Sequence, residues 1–294
     1  GDASTPTMAR RFDVTIATCE PKPHADPDEP LLLAELDAAG LASRTAAWDD
    51  PDVDWSASHL TVIRSTWDYY HDRDAFLAWA RRVDSVSTLR NPAPVVAWNS
   101  HKSYLLDFER RGLPVIPTEL VDAGSDASLD AICQRRGWRD IVVKPAVSAG
   151  SHETHRLDVG HDSLDVYDRL VSDHDLLVQP YIPGMSHPGE RSLISIDGRL
   201  THSITKAPRF AGDAQSVSGP HPIEPDQRQL AERTLAMVDT PLLYARVDMA
   251  PGADGRQMLT ELELIEPSLF LEYDAPALER LVAAIADQVE SVAD

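Results

Sequence analysis

The chain is poor in cysteine, in basic residues and in long apolar runs, and each shortage removes a class of protein. Two cysteines among 294 residues, Cys19 and Cys133, cannot build a disulfide framework, so a reducing cytoplasm is expected. No apolar run approaches the roughly 20 residues of a membrane-spanning helix. The start has neither the n-region nor the h-region of a signal peptide, and Gly1 to Met8 reads as a tag remnant ahead of a native Met8. Lys and Arg number 27 against 48 Asp and Glu, a net charge of −21. Phosphate neutralisation needs clustered cations, so this charge argues against nucleic acid as a generic partner. Neither Gly-x-x-x-x-Gly-Lys-Ser/Thr nor Gly-x-Gly-x-x-Gly occurs, which leaves no support for a P-loop or a dinucleotide site. His101, His152, His155, His187, His202 and His221 lack metal-ligand spacing. Cys19 has no placed basic partner and Ser148 no triad context, so covalent nucleophilic catalysis has no carrier.

What is present centres on Tyr244 to Ser268. Two strand-like runs flank a turn at Pro251 to Gly255 that holds an Asp-Gly pair, which predicts a hairpin. Alternation puts Glu261 and Glu263 on one face and Leu262 and Leu264 on the other, and strand pairing brings Asp248 to the acidic face. Carboxylates at close quarters repel and are costly to bury, so a cation is expected among them. An all-oxygen set without Cys or His suits Mg²⁺ or Mn²⁺. A solvated acidic hairpin is the competing reading.

Upstream, strands are expected at Phe12 to Thr18, Ala46 to Trp48 and Leu60 to Arg64, with helices at Leu31 to Ala39 and from Asp72 or Asp74 through Arg82. This alternation predicts a small βαβ domain over residues 9–98, and ligands of such domains bind at the carboxyl ends of strands. The candidate loops are Thr18-Cys19-Glu20 and Arg64-Ser65-Thr66-Trp67-Asp68-Tyr69-Tyr70. Arg64 is expected to fork onto a substrate carboxylate, with Ser65, Thr66 and Asp68 beside it. Alternatively, Trp67 and Tyr69 pack an interdomain seam.

A linker is expected at Asn91 to Pro94, then a helix opened by Trp98-Asn-Ser-His-Lys102, capped by Asn99 or Ser100 and ending at Gly112. Lys144 ends a buried strand, Ile141 to Pro145, ahead of the Ser/Gly loop Ala146 to Thr154. Backbone N–H groups in such a loop can converge on anionic oxygens, and small residues permit close approach. A strand at Leu176 to Ile182, a hairpin from Glu190 to Lys206, a helix at Gln227 to Val238 and a closing helix at Pro276 to Val292 complete the chain. The Lys206 to Gly219 segment, with two glycines and no periodicity, suits a lid.

In this order, Lys102, Lys144, the Ser/Gly loop, Val178-Gln-Pro-Tyr-Ile182, Glu190, Lys206, Arg209, Arg246, Asp248, Glu261 and Glu263 resemble the ATP-grasp superfamily over residues 92–294. Arg64-Ser-Thr-Trp-Asp-Tyr69, Trp98-Asn-Ser-His-Lys102 and Glu190-Arg-Ser-Leu193 look most like the cyclo-ligase family of D-cycloserine biosynthesis, which closes O-ureido-D-serine. The resemblance implies an α/β (α+β) ATP-grasp fold: a Rossmann-like domain at 9–98, a small lid subdomain at 99–178 and a C-terminal metal-site subdomain at 179–294. It implies ATP phosphates on Lys102 and Lys144 under a Ser148, Gly150, Ser151 loop. Adenine would meet the hinge at Gln179, Tyr181 and Ile182, with Glu190 near the ribose. Two Mg²⁺ ions (or Mn²⁺) would sit on Asp248, Glu261 and Glu263, and Arg246, Lys206 and Arg209 would stabilise the transferring phosphoryl group. Many relatives carry Asn where Glu263 stands. The implied reaction joins a small amino-acid-like carboxylate to nitrogen through an acyl phosphate, in a cytoplasmic homo-oligomer with no membrane or nucleic-acid partner. A small-molecule kinase and a non-catalytic nucleotide-binding module are the alternatives.

Overall fold

Phe12–Thr18 (β1) and Ser58–Ser65 (β3) are apolar and β-branched, and Val14, Ile16, Leu60 and Val62 are fully buried along them. With Ser43–Ala47 (β2) and Thr88–Arg90 (β4) they form a sheet of order β2-β1-β3-β4 in which every pairing is parallel. Parallel neighbours need crossovers, which Asp28–Ala38 (α1) and Arg73–Val86 (α2) supply. Asp72 caps α2, accepting from Ala75 N at 3.1 Å. α1 starts at Asp28, ahead of the expected Leu31, because Asp28, Glu29 and Pro30 all suit a first helical turn. β4 is too short to show periodicity. This computed structural model describes residues 10–210 and 216–294; the tag remnant and positions 211–215 of the expected lid lie outside them.

Two helices replace the single one expected after the linker. Ala93–Asn99 (α3) begins inside the expected linker, since Pro92 and Pro94 fit a helix entry. Asn99 is therefore the last residue of α3 and Ser100 its C-cap; neither caps the next helix, Tyr104–Arg110 (α4). Lys102 lies in the intervening turn, where its N–H donates to Ala146 O at 2.8 Å.

Glu119–Val121 (β5), Asp140–Pro145 (β6), His155–Asp158 (β7) and Leu176–Pro180 (β8) form an antiparallel sheet of order β5-β8-β6-β7. β8 crosses the 178/179 boundary expected from the sequence. Leu129–Arg136 (α5) and Asp165–Val171 (α6) bury Ile132, Tyr167 and Leu170 against Ile141 and Val178 of this sheet.

The third sheet is antiparallel, of order β11-β10-β9-β12-β13: Glu190–Ile196 (β9), Arg199–Lys206 (β10), Val217–His221 (β11), Tyr244–Pro251 (β12) and Gln257–Glu263 (β13). β11 was not expected, since Ser-Gly-Pro reads as a turn; an edge strand tolerates Pro220. The last part of the expected lid, Val217 to Gly219, is thus strand. Pro225–Ala236 (α7) covers one face through Leu230 and Ala231, which pack with Ala245, Val247 and Leu262. Ala275–Ala293 (α8) joins the first and third sheets: Leu281 and Ile285 share one core with Val14, Leu60, Ile194 and Ile196. Among the described residues no helix is long and apolar enough to cross a membrane.

Candidate functional site

The antiparallel register sets Arg246 opposite Glu263 and Asp248 opposite Glu261. Directly paired residues share a face, so all four side chains lie together while Val247 and Leu262 point into the apolar core. Ligand oxygens of Asp248, Glu261 and Glu263 lie within 4.8 Å of one another. Glu261, Glu263 and Arg246 line a cavity of about 490 Å³; Asp248 is fully buried.

Cations from three strands meet these carboxylates. Arg246 places Nε 3.0 Å from Asp248 Oδ1 and Nη2 2.8 Å from Glu263 Oε2. Lys206 Nζ, at the end of β10, is 3.0 Å from both Asp248 Oδ2 and Glu190 Oε1. Lys144 Nζ, near the end of β6, is 3.0 Å from Glu261 Oε1. Burial disfavours every charge here, and the neighbours decide which carboxyl keeps its proton. For Asp248, Arg246 and Lys206 outweigh burial and hold the carboxyl below its usual range. For Glu261, the ammonium groups of Lys144, Lys102 and Lys206 do the same, more strongly. Glu263 goes the other way: burial, reinforced by Glu261 and Asp248 against the pull of Arg246, lifts it to about 7. The acidic face is therefore a built, charge-compensated site rather than a solvated hairpin.

The Ser/Gly loop forms the adjoining wall. Gly150 and Ser151 take positive φ, 61° and 60°, a conformation that glycine adopts freely. Lys102 Nζ donates to Ser148 O at 3.3 Å, and Arg209 Nε donates to Ser151 Oγ at 3.3 Å, so the β10–β11 connection touches the loop. His152 stacks on Tyr70 with ring centroids 4.6 Å apart, tying the loop to the N-terminal domain. At the far side of the cavity lie Gln179, Tyr181 and Ile182. The Gln179 amide is turned away and donates to Thr118 Oγ1 at 3.0 Å, and Tyr181 N–H is spent on Asp140 O at 2.8 Å. Glu190 accepts from Thr260 Oγ1 at 2.6 Å.

The residues expected to hold the substrate lie off the cavity wall. The loop after β3 does reach the cavity, through Trp67 and Tyr70, but Arg64, Ser65, Thr66 and Asp68 do not line it. Arg64 is 4% exposed; Nη1 and Nη2 donate to Pro267 O at 3.1 and 2.9 Å, and its guanidinium lies 4.3 Å from the Tyr244 ring centroid. Ser65 donates to Thr18 Oγ1 at 2.6 Å, Asp68 accepts from Trp48 Nε1 at 2.8 Å, and Thr66 is fully buried. With Arg64 Nε donating to Ile63 O at 2.9 Å, three of its five N–H donors are spent on backbone carbonyls.

Glu266 was not singled out from the sequence, yet it lines the cavity. Its Oε2 is withdrawn from solvent without a hydrogen-bond partner. Burial first, then the charge of Glu263, lifts its carboxyl to about 8. Alternation offers no signal for it, because β13 ends at Glu263 and both Leu264 and Ile265 are buried.

The family described as D-cycloserine synthetase DcsG, N-terminal domain, matches residues 14–91. The cycloserine biosynthesis protein DcsG of Streptomyces lavendulae is 34% identical over 284 residues, 90% of this chain and 95% of that protein. The crystal structure of D-cycloserine synthetase DcsG aligns with a TM-score of 0.84 at 32% identity, over 94% of this chain and 99% of that one. D-alanine–D-alanine ligase from Bacillus anthracis shares the fold, with a TM-score of 0.64 at 14% identity over 96% of this chain and 98% of that one.

Proposed function

Because the chain belongs to the D-cycloserine synthetase family of ATP-grasp ligases, we propose that it uses ATP to close O-ureido-D-serine into D-cycloserine. The observation that carries this reading is the meeting of Glu261 and Glu263 with Lys144, Lys206 and Arg246 on one cavity, with Asp248 buried behind them, beside a Ser/Gly loop, in such a chain.

A carboxylate is a poor electrophile, and phosphorylation converts it to an acyl phosphate that nitrogen can attack. The protein supplies positioning and charge rather than a covalent nucleophile. Lys102 and Lys144 bind the phosphates, with Ser148, Gly150 and Ser151 over them. Tyr181 and Ile182 border the base, and Glu190 lies toward the ribose. The hard, all-oxygen set Asp248, Glu261 and Glu263, within 4.8 Å, fits Mg²⁺ or Mn²⁺ and would hold two ions. When bound, these ions neutralise phosphate oxygens and so lower the cost of charge build-up during transfer. Arg246 and Lys206 bear on the transferring phosphoryl group from the carboxylate face, and Arg209 from the loop side.

Ring closure joins the activated carbonyl to the oxygen-bound nitrogen of the same molecule as phosphate leaves. Loss of the carbamoyl group with one water, as ammonia and carbon dioxide, balances the product. The Ser/Gly loop and Tyr70, linked through His152, exclude water that would hydrolyse the acyl phosphate. Cys19 and Cys133 are buried and unpaired, which supports a cytoplasmic setting.

The test is ADP and phosphate release with and without O-ureido-D-serine, with the product identified by mass. Release that requires this compound and yields D-cycloserine is expected. A stable phosphorylated product would move the protein to a kinase reaction.

A further inference from the structure

We propose that Glu266 is the specificity-determining anchor for a primary ammonium on the substrate, so that the enzyme selects amino-acid-type carboxylates over carboxylates lacking the amine. This rests on the ligase reading above and extends it to a residue with no role there.

The first observation is charge. Among the described carboxylates that line the cavity, the others have cationic partners: Glu153 has Arg169 and His155, Glu190 has Lys206, Glu261 has Lys144 and Glu263 has Arg246. Glu266 has no cation within ion-pair distance, Lys102 and Arg246 acting on it only from farther off, and its Oε2 has no hydrogen-bond partner. An unsatisfied buried acceptor costs about 1–3 kcal/mol, and more when charged. A donor arriving with the ligand at the cavity wall would relieve that cost.

The second observation is the frame. Three successive carbonyls are pinned by donors from other elements. Trp67 Nε1 donates to Glu266 O at 3.0 Å, Arg64 Nη2 to Pro267 O at 2.9 Å, and Arg246 Nη1 to Ser268 O at 3.2 Å. Just before them, Asn91 Nδ2 donates to Leu264 O at 2.8 Å. Pro267 further limits the backbone. The backbone that carries Glu266 is therefore fixed at the cavity wall, and its carbonyls are already occupied. The Glu266 carboxylate is left as the anionic acceptor on this stretch of wall, beside Ser268.

The third observation is chemical. Glu266 stands outside the cluster of carboxylates able to share a cation. Its surroundings are organic in character: Trp67 lines the cavity and stacks on His24 at 4.3 Å, with Pro23 beside them. A hydroxyl offers one hydrogen bond and no charge; a primary ammonium favours the ionised carboxylate and pairs with it. An indole nearby favours the same cation.

The experiment is a two-by-two comparison. Wild type and Glu266→Gln are assayed for ADP release with O-ureido-D-serine and with 3-(ureidooxy)propanoate, its counterpart without the amine. Wild type is expected to favour the amine at least tenfold in kcat/KM. Glu266→Gln is expected to lose that preference, with a KM for the amine substrate raised at least tenfold and a KM for ATP unchanged. A purely structural role would lower all rates together and leave the preference intact, and that result overturns the proposal. If O-ureido-D-serine elicits no ADP release from wild type, the cyclo-ligase reading fails. The same ratio is then read on D-alanine against propionate and further such pairs. Indifference of wild type to the amine across the pairs also overturns the proposal.

Discussion

Lys144 Nζ stands 3.0 Å from Glu261 Oε1, so one ion pair joins the end of β6 to β13 at the cavity wall. The two side chains keep only 12% and 19% of their exposure. The lysine thus serves two acceptors in turn: the glutamate at rest and, in the proposed reaction, phosphate. Lys144→Met keeps the apolar stem and removes the charge. It is expected to lower kcat/KM for ATP about 100-fold, or about 2.7 kcal/mol, in an ADP-release assay. An unchanged value would remove Lys144 from nucleotide binding.

Glu261 is held ionised against burial by Lys144, Lys102 and Lys206, which suits a ligand for a hard cation. Glu261→Gln is expected to reduce ADP formation by about two orders of magnitude or more while circular dichroism stays native. Chelation of divalent ions should silence wild type to the same extent, with recovery on adding Mg²⁺. Full activity in the glutamine variant would exclude Glu261 from the metal set.

Arg64 acts on the frame of the site. Its fork on Pro267 O and its contact with Tyr244 hold the segment that carries Glu266. Arg64→Ala is expected to cost about 2–4 kcal/mol, seen as a thermal midpoint several degrees lower, since it orphans a buried carbonyl and removes a buried charge contact. Lysine should recover little of this, because a single ammonium does not reproduce the planar fork. A midpoint within one degree of wild type would contradict the structural role.

A carboxyl lifted to about 8 in the folded chain, against an ordinary 4.5, holds a proton that the unfolded chain has released. Between these values the folded state binds more protons, so this group makes stability fall as pH rises. Melts of metal-free, ligand-free protein at pH 5, 7 and 9 should show that decline. Glu266→Gln, uncharged throughout, should flatten it. A variant with the wild-type slope would show that Glu266 titrates normally.

Much of the carboxylate arrangement was legible before folding, because it depends on local backbone geometry. Strand alternation alone groups Glu261 with Glu263, and the Asp-Gly turn brings Asp248 across to them. Lys144 at a strand end and the Ser/Gly loop after it are likewise local features. What the sequence could not decide was where long side chains spend their donors. Arg64 reads as a free fork at a strand end, yet its acceptor lies 203 residues away. Lys102 and Asn99 were placed at the start of one helix, yet α3 ends at Asn99 and Lys102 lies in the turn beyond it, and the Asn99 amide serves β13, donating to Leu262 O at 2.8 Å. Glu266 looked like one more acid in a chain of 48 Asp and Glu. Its distinction is the lack of a partner, and that is a property of the packed tertiary structure, set only when Trp67, Arg64 and Arg246 close on its backbone.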